Sequence, residues 1–118
     1  MQIIWVFLGG GLGSLCRYGI ARWLSAYALT FPWATLLANV LACVVLGFFI
    51  GLDLQNKAST PVRLLFMTGF CGGFSTFSTF TAETFQLFEV GHSLQAFGNI
   101  AGSVLICLMA VFIGLKLA

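Results

Sequence analysis

Five hydroxyl side chains follow a pair of glycines in the middle of the chain. The glycines are Gly72 and Gly73, and the hydroxyls fall within seven residues, at Ser75, Thr76, Ser78, Thr79 and Thr81. Glycine weakens a helix, and irregular backbone inside a membrane is tolerated where it is buried or lines a wet cavity. The pattern therefore predicts a broken helix whose released carbonyls can coordinate a cation. The alternative is a continuous helix whose hydroxyls bond back to its own carbonyls.

Amide side chains interrupt two other apolar stretches. Asn39 stands alone, whereas Asn99, Ser103 and Cys107 are spaced by four and fall in one line on a helix face. Polar groups inside a membrane usually face the interior of the helix bundle. They either join helices through hydrogen bonds or line the path of a solute, and the spacing fits both interpretations.

The types of these polar groups favour a small anion as that solute. No acidic residue lies in the middle of any apolar stretch, so a cation would lack its usual counter-charge. Hydroxyl and amide groups donate hydrogen bonds to an anion, and Phe74, Phe77 and Phe80 are spaced by three along the same segment. The edge of a phenyl ring carries partial positive charge and can help to solvate an anion. Because the chain contains 13 Phe, simple packing is an equally ordinary role for each ring.

The elements that must position these residues are membrane helices. Hydrophobic residues make up 60% of the 118 residues and charged residues 7%, against about 25% charged in a soluble domain. The charges leave uncharged spans at 1–16, 23–52, 64–82 and 93–115, and each is long enough for a helix of roughly 20 apolar residues. The sequence predicts one all-α membrane domain, residues 1–118, with four transmembrane helices at about 3–24, 33–52, 61–89 and 93–116 and a break in the third.

Other protein classes fit the sequence poorly. Arg17 and Arg22 follow the first apolar stretch, which is the reverse of the charge order in a signal peptide. The four cysteines fall one to each predicted helix without a CxxC pair, so neither a metal cluster nor a disulfide scaffold is predicted. A net charge of +2 is too small to indicate a nucleic-acid partner.

Basic residues are distributed almost evenly between the two sides of the predicted bundle. Lys57, Arg63 and Lys116 lie on one side, and Arg17 and Arg22 on the other. A fixed orientation needs an excess of Lys and Arg on cytoplasmic loops, so we expect insertion in both orientations and an antiparallel, dual-topology homodimer. Small residues four apart, such as Gly9 with Gly13 and Gly98 with Gly102, predict close helix packing.

Three stretches of the sequence resemble the CrcB/Fluc fluoride channels. They are GGGLGSLCRY from Gly9 to Tyr18, TLLANV from Thr35 to Val40 with Gly47 following, and GFCGGFSTFSTF from Gly69 to Phe80. The resemblance runs along essentially the whole chain. It implies a dual-topology homodimer in the inner membrane of a prokaryotic cell, surrounded by lipid. Such a dimer has two pores that passively export cytoplasmic fluoride, which lowers its toxicity, and one structural sodium ion that is not transported.

The same resemblance implies roles for single residues. The sodium ligands would be the backbone carbonyls of Gly72 and Ser75, where the family commonly has threonine at the second position. The matches to the family's pore are Asn39, Phe77, Phe80, Ser78 and Thr79, together with Asn99 and Ser103 from positions that vary in the family. Arg17 matches the vestibule arginine and Glu83 the acidic residue at the end of the pore.

Three rival functions are distinguished by particular residues. Small multidrug exporters are similar in size, but they need a glutamate within the first helix, and this first helix has no acidic residue. An assembly subunit without transport activity would explain the small residues but not the hydroxyl run. An enzyme is the least favoured, because the only histidine, His92, falls in a predicted turn.

Overall fold

The computed structural model describes all 118 residues and contains only helices and connecting turns. The first two helices are α1 (Gln2–Ser25) and α2 (Trp33–Leu54). Helix α3 is a continuous helical segment made of Thr60–Val62, Arg63–Cys71 and Gly72–Phe74; α4 (Phe77–Glu89) and α5 (Ser93–Leu117) follow. The molecule measures 48 × 27 × 21 Å, so its long axis exceeds the roughly 30 Å hydrocarbon core of a bilayer.

Three of these helices are long and apolar enough to cross a membrane without interruption. They are α1, α2 and α5, with 24, 22 and 25 residues. Their bounds lie within two residues of those predicted from the sequence. The prediction of an all-α, multi-pass membrane protein is therefore confirmed.

The third predicted span, 61–89, is divided in two. Ser75 and Thr76 are extended, with φ/ψ of −80°/156° and −151°/123°, and they separate α3 from α4. The break that the sequence predicts is present, but it follows the paired glycines, because Gly72 itself is helical, with φ −64° and ψ −36°. The Thr76 hydroxyl accepts a hydrogen bond from the backbone N–H of Thr79 at 3.2 Å, so this side chain caps α4 and fixes where the second half begins.

Most of α3 has π-helical geometry, from Arg63 to Cys71. A π-helical turn is wider than an α-helical turn and is frequently found near functional sites. No residue pattern in this stretch predicted it.

Two pairs of parallel helices are packed through glycine. On α1, a Cβ at Gly9 would overlap the carbonyl oxygen of Leu65, and one at Gly13 would overlap that of Phe70. A Cβ at Gly47 of α2 would likewise overlap the carbonyl oxygen of Val111 on α5. We call these contacts the α1–α3 seam and the α2–α5 seam. They confirm the role predicted for these small residues, since backbone packs directly on backbone.

One pair of small residues makes no such contact within the chain. A Cβ added at Gly98 or Gly102 of α5 would meet no atom within 4 Å. This pair therefore packs against nothing within one chain.

Candidate functional site

A cavity of about 260 Å³ lies beside the break between α3 and α4. It is lined from three sides: by α2, by the break with the start of α4, and by α5. The lining residues are Asn39, Cys43, Ser75, Thr76, Phe77, Phe80, Ser103, Val104 and Cys107. The structure thus brings together four residues predicted to line a pore, namely Asn39, Phe77, Phe80 and Ser103.

Asn39 holds the break in place through both ends of its amide. Its Oδ1 accepts a hydrogen bond from the backbone N–H of Thr76 at 2.8 Å. Its Nδ2 donates to the carbonyl oxygen of Thr76 at 3.3 Å. An amide side chain therefore replaces the backbone partners that a continuous helix would supply. One N–H of Nδ2 is still available to the cavity, because a primary amide has two.

The break also deprives several backbone carbonyls of their helical partners, and two of these are the carbonyls of Gly72 and Ser75. In a continuous helix, the Gly72 carbonyl would accept from the N–H of Thr76, which instead donates to Asn39. The Ser75 carbonyl would accept from the N–H of Thr79, which instead donates to the Thr76 hydroxyl. These are the two carbonyls that the resemblance implies as sodium ligands. Neutral oxygen donors of this kind suit a hard cation, so the residues fit such an ion.

Arg17 reaches the break from α1. Its Nε donates to the carbonyl oxygen of Gly73 at 3.1 Å, and the side chain is partly buried. The sole ion pair of the chain joins Arg63 to Asp53, so the positive charge of Arg17 has no carboxylate partner. Arg17 is thus placed at the break itself and contributes an uncompensated positive charge there, which attracts an anion.

Glu83 lies further along α4, away from the break. It lines two cavities beneath the loop between α1 and α2, where Leu29, Phe31 and Pro32 are its neighbours. One carboxylate oxygen is buried and has no hydrogen-bond partner. Seven residues of helix separate Glu83 from Thr76, a distance of about 10 Å.

Buried hydrogen bonds connect α4 to α5. The Nδ2 of Asn99 donates to the Thr84 hydroxyl at 2.9 Å, and the Ser103 hydroxyl donates to the Oδ1 of Asn99 at 3.1 Å. The predicted alignment of Asn99 with Ser103 is therefore present. Thr84 was missed by the sequence reasoning, although it follows the hydroxyl run and repeats the four-residue spacing from Phe80.

Three residues predicted for the pore do not line the cavity. Asn99 is buried in the contact with Thr84 instead. Ser78 is exposed, with its hydroxyl 3.4 Å from that of Thr76. Thr79 contributes its backbone N–H to the cap of α4. Cys43 does line the cavity, opposite Cys107, and its position four residues after Asn39 is the signal that could have identified it.

The phenylalanines divide into two groups. Phe74 is buried and packs against Ala38 and Ala42, so it belongs to the core. Phe77 and Phe80 have ring centroids 5.8 Å apart and line the cavity. Phe77 is 78% exposed, so a single chain leaves this cavity open on one side.

Comparison with known proteins adds an independent finding. A family model described as CrcB-like protein, Camphor Resistance (CrcB), matches residues 4–115. A protein of Pyrococcus abyssi named fluoride-specific ion channel FluC is 46% identical over 114 residues, which cover 96% of this chain and 92% of the relative. Proteins with the same name from Rhizobium etli and Pyrococcus furiosus are 42% and 44% identical, and each match covers 99% of this chain and 95% of the relative.

Proposed function

This chain belongs to the CrcB-like protein family, and on that premise we propose that it is a passive, fluoride-selective channel that exports fluoride from the cytoplasm. Its relatives are named ion channels, which are transport proteins and not enzymes. The observation that carries the proposal is the cavity at the helix break. It combines hydrogen-bond donors with phenyl rings and contains no acidic side chain.

Groups at the break and on the cavity wall support an anion in three ways. Arg17 supplies a positive charge at the break without a carboxylate to cancel it. The second N–H of Asn39 and the thiol of Cys107 are donors on the cavity wall. Phe80 and Phe77 line the same wall, where ring edges offer partial positive charge. A small anion can exchange its hydration for these groups one at a time.

The driving force requires no pump. Hydrogen fluoride enters a cell as a neutral acid and ionises in the more alkaline cytoplasm, where the anion is trapped. A membrane potential that is negative inside then favours exit of the anion by about 2.3 kcal/mol per 100 mV. A passive channel in the inner membrane of a prokaryotic cell would therefore lower the toxicity of fluoride.

An antiparallel homodimer would complete the pathway. The cavity is open in one chain because Phe77 is 78% exposed, and an ion path across a bilayer must be closed to lipid. A second copy in the opposite orientation is the partner that the near balance of basic residues on the two sides favours. Membrane lipid would cover the remaining apolar surface.

A structural sodium ion would be held by the backbone carbonyls of Gly72 and Ser75. Both carbonyls lack helical partners, and Gly72 is exposed on the surface of the chain, where a second copy can add its own pair. A bound cation would offset the partial negative charge of these oxygens. Each of the two chains would contribute two carbonyl oxygens that make no hydrogen bonds, which gives four oxygens in total.

Expression in cells that lack their own fluoride exporter tests the function. We expect the chain to restore growth in millimolar fluoride and to lower cytoplasmic fluoride, measured with an electrode after lysis. The control is the Phe80→Ile variant, expressed to the same level in the membrane. Unchanged cytoplasmic fluoride in cells whose membranes contain the wild-type chain would overturn the proposal.

Orientation and sodium have separate tests. Reporters fused to the C-terminus should give signal on both sides of the membrane, and a signal on one side alone would contradict dual topology. Replacing sodium with N-methylglucamine during purification should abolish fluoride flux and loosen the dimer. Full flux without any alkali metal ion would rule out the structural sodium.

A further inference from the structure

Two cysteine thiols line the same cavity as the proposed fluoride pathway. Cys43 is on α2 and Cys107 on α5, four residues before Gly47 and Val111 respectively, whose backbones are in contact across the α2–α5 seam. This register brings the two thiols near one another on the wall of one cavity. Both are free and half-buried. The proposed transport pathway uses the Cys107 thiol as one donor and gives the Cys43 thiol no role, which leaves open what the pair as a whole can bind.

The chemistry of the pair selects a soft metal ion. Thiolate sulfur prefers soft cations such as Cu(I), whereas carboxylate and carbonyl oxygens serve the hard ones. The chain has no group of three or more His, Cys, Asp or Glu side chains able to hold a metal. Two facing sulfurs without further ligands suit a monovalent d¹⁰ ion, Cu⁺ or Ag⁺, which accepts two-coordinate geometry. The walls beside the thiols include Phe77, Phe80 and Val104, and such apolar walls disfavour a strongly hydrated ion.

We propose that Cys43 and Cys107 form a two-sulfur site for a soft monovalent cation, and that a bound cation blocks fluoride passage. Each thiol releases its proton to solvent as its sulfur binds the metal. Two thiolates and one monovalent cation carry a net charge of −1. This charge stands beside Asn39 and Phe80 in a cavity of about 260 Å³, so it repels an incoming fluoride as well as occupying its space. The blocking part of the proposal rests on the proposed function.

A third cysteine provides a control within the same chain. Cys16 is exposed on α1 and does not line the cavity. A cation bound at Cys16 would leave the pathway open.

Silver ion is the probe, because it has the coordination preference of Cu⁺ without its redox chemistry. Binding to the purified dimer is measured by titration calorimetry in chloride-free nitrate buffer, since silver chloride precipitates. Fluoride efflux is measured in parallel from liposomes that contain the same protein. We expect one Ag⁺ per chain and a complete block of efflux in the wild type. Reversal by a soluble thiol is also expected.

Three single substitutions locate the site. Cys43→Ser and Cys107→Ser should each weaken Ag⁺ binding by more than the about 10–100-fold typical of losing a group that merely orients a ligand. Both should make efflux insensitive to Ag⁺ relative to the Ag⁺-free rate of the same variant. Cys16→Ser should behave as the wild type does. Elution as a dimer in size-exclusion chromatography verifies the fold of each variant.

Failure of this inference is distinguishable from failure of the proposed function. Equal Ag⁺ binding in the wild type and in both cavity variants would overturn the site. Loss of the block in Cys16→Ser alone would overturn it as well. If the wild type shows no fluoride efflux before Ag⁺ is added, the transport proposal fails, and the calorimetry alone then decides whether the two-sulfur site exists.

Discussion

The two seams and the cavity at the helix break are opposite kinds of environment within one small bundle. In the α1–α3 seam, a Cβ at Gly13 would overlap the carbonyl oxygen of Phe70 and lie 2.7 Å from the backbone N–H nitrogen of Phe74. The cavity, by contrast, has about 260 Å³ of space and an exposed ring at its mouth. In the seams, close packing holds backbone against backbone, whereas the polar cavity is left open.

The two environments are connected by two side chains. Arg17 extends from α1, just beyond the seam glycines, and bonds to the carbonyl of Gly73. Asn39 extends from α2 and bonds to both backbone groups of Thr76. The tight seams therefore fix the positions of α1 and α2. Arg17 and Asn39 extend from these two helices and hold the break in place. The closely packed seams and the open cavity therefore depend on each other in this protein.

The largest effect is expected from adding a single methyl group to the α1–α3 seam. Gly13→Ala forces its Cβ against backbone atoms that cannot rotate away, so the cost should reach or exceed the upper end of about 1–3 kcal/mol for overpacking. We expect loss of the dimer peak in size-exclusion chromatography and loss of flux. Gly11→Ala is the matched control on the same helix, since a Cβ there meets nothing within 4 Å. Equal behaviour of the two variants would mean that the seam is not tight.

The next largest effect is expected at Asn39, because this side chain both holds the break in position and lines the cavity. Asn39→Leu leaves the backbone N–H of Thr76 without its partner, which costs about 1–3 kcal/mol for a buried donor. Both thermal stability and fluoride flux should fall. Asn39→Asp keeps the acceptor but places a negative charge on the cavity wall, so flux should stop with a smaller loss of stability. Flux through either variant at the wild-type rate would remove Asn39 from the pathway.

Replacement of Phe80 should change the cavity without changing the packing of the seams. Phe80→Ile removes a ring from the cavity wall, and with it the positive ring edge. We expect fluoride flux to be abolished while the dimer elutes unchanged. Phe85→Ile is the matched control on α4, because Phe85 is exposed and lies outside the cavity. Normal flux in Phe80→Ile would end the argument for edge-on solvation by this ring.

The smallest effect is expected at the α4–α5 contact. Thr84 and Thr81 both donate their hydroxyls to carbonyls four residues earlier, at 2.8 Å. Only Thr84 also accepts from the buried Asn99. Thr84→Val should therefore cost about 1 kcal/mol and reduce flux without abolishing it, whereas Thr81→Val should change neither in thermal unfolding and efflux assays. Equal losses in both would show that the Asn99 contact is unimportant.

Much of the fold was predictable from the distribution of charges and apolar residues. The existence and approximate places of α1, α2 and α5 follow from the uncharged apolar spans, although α1 continues past Arg17 and Arg22 to Ser25. The existence of a break in the third span also followed from its glycines and hydroxyls. Its position did not, because that depends on Asn39, which is 37 residues away in the chain. Tertiary hydrogen bonds, and not local glycine content, decide where the helix ends.

Part of the candidate site was also predictable from the sequence. The four-residue spacing correctly placed Asn99 and Ser103 on one face, and Asn39, Phe77 and Phe80 do share one cavity. Ser78 and Thr79 do not line it, because helix α4 turns them away after the cap at Thr76. Phe74 has the spacing of the other rings and yet belongs to the core. Periodicity along one helix cannot show which neighbour each face meets.

Anion efflux from liposomes tests the central claim most directly, namely that copies of this chain form a fluoride-selective path without any other protein. The purified wild-type protein is reconstituted with potassium fluoride or potassium chloride inside, and valinomycin is added to carry the balancing potassium. The account predicts rapid release of fluoride, recorded with an ion-selective electrode, while chloride is retained. Retention of fluoride, or release of both anions at the same rate, would contradict it.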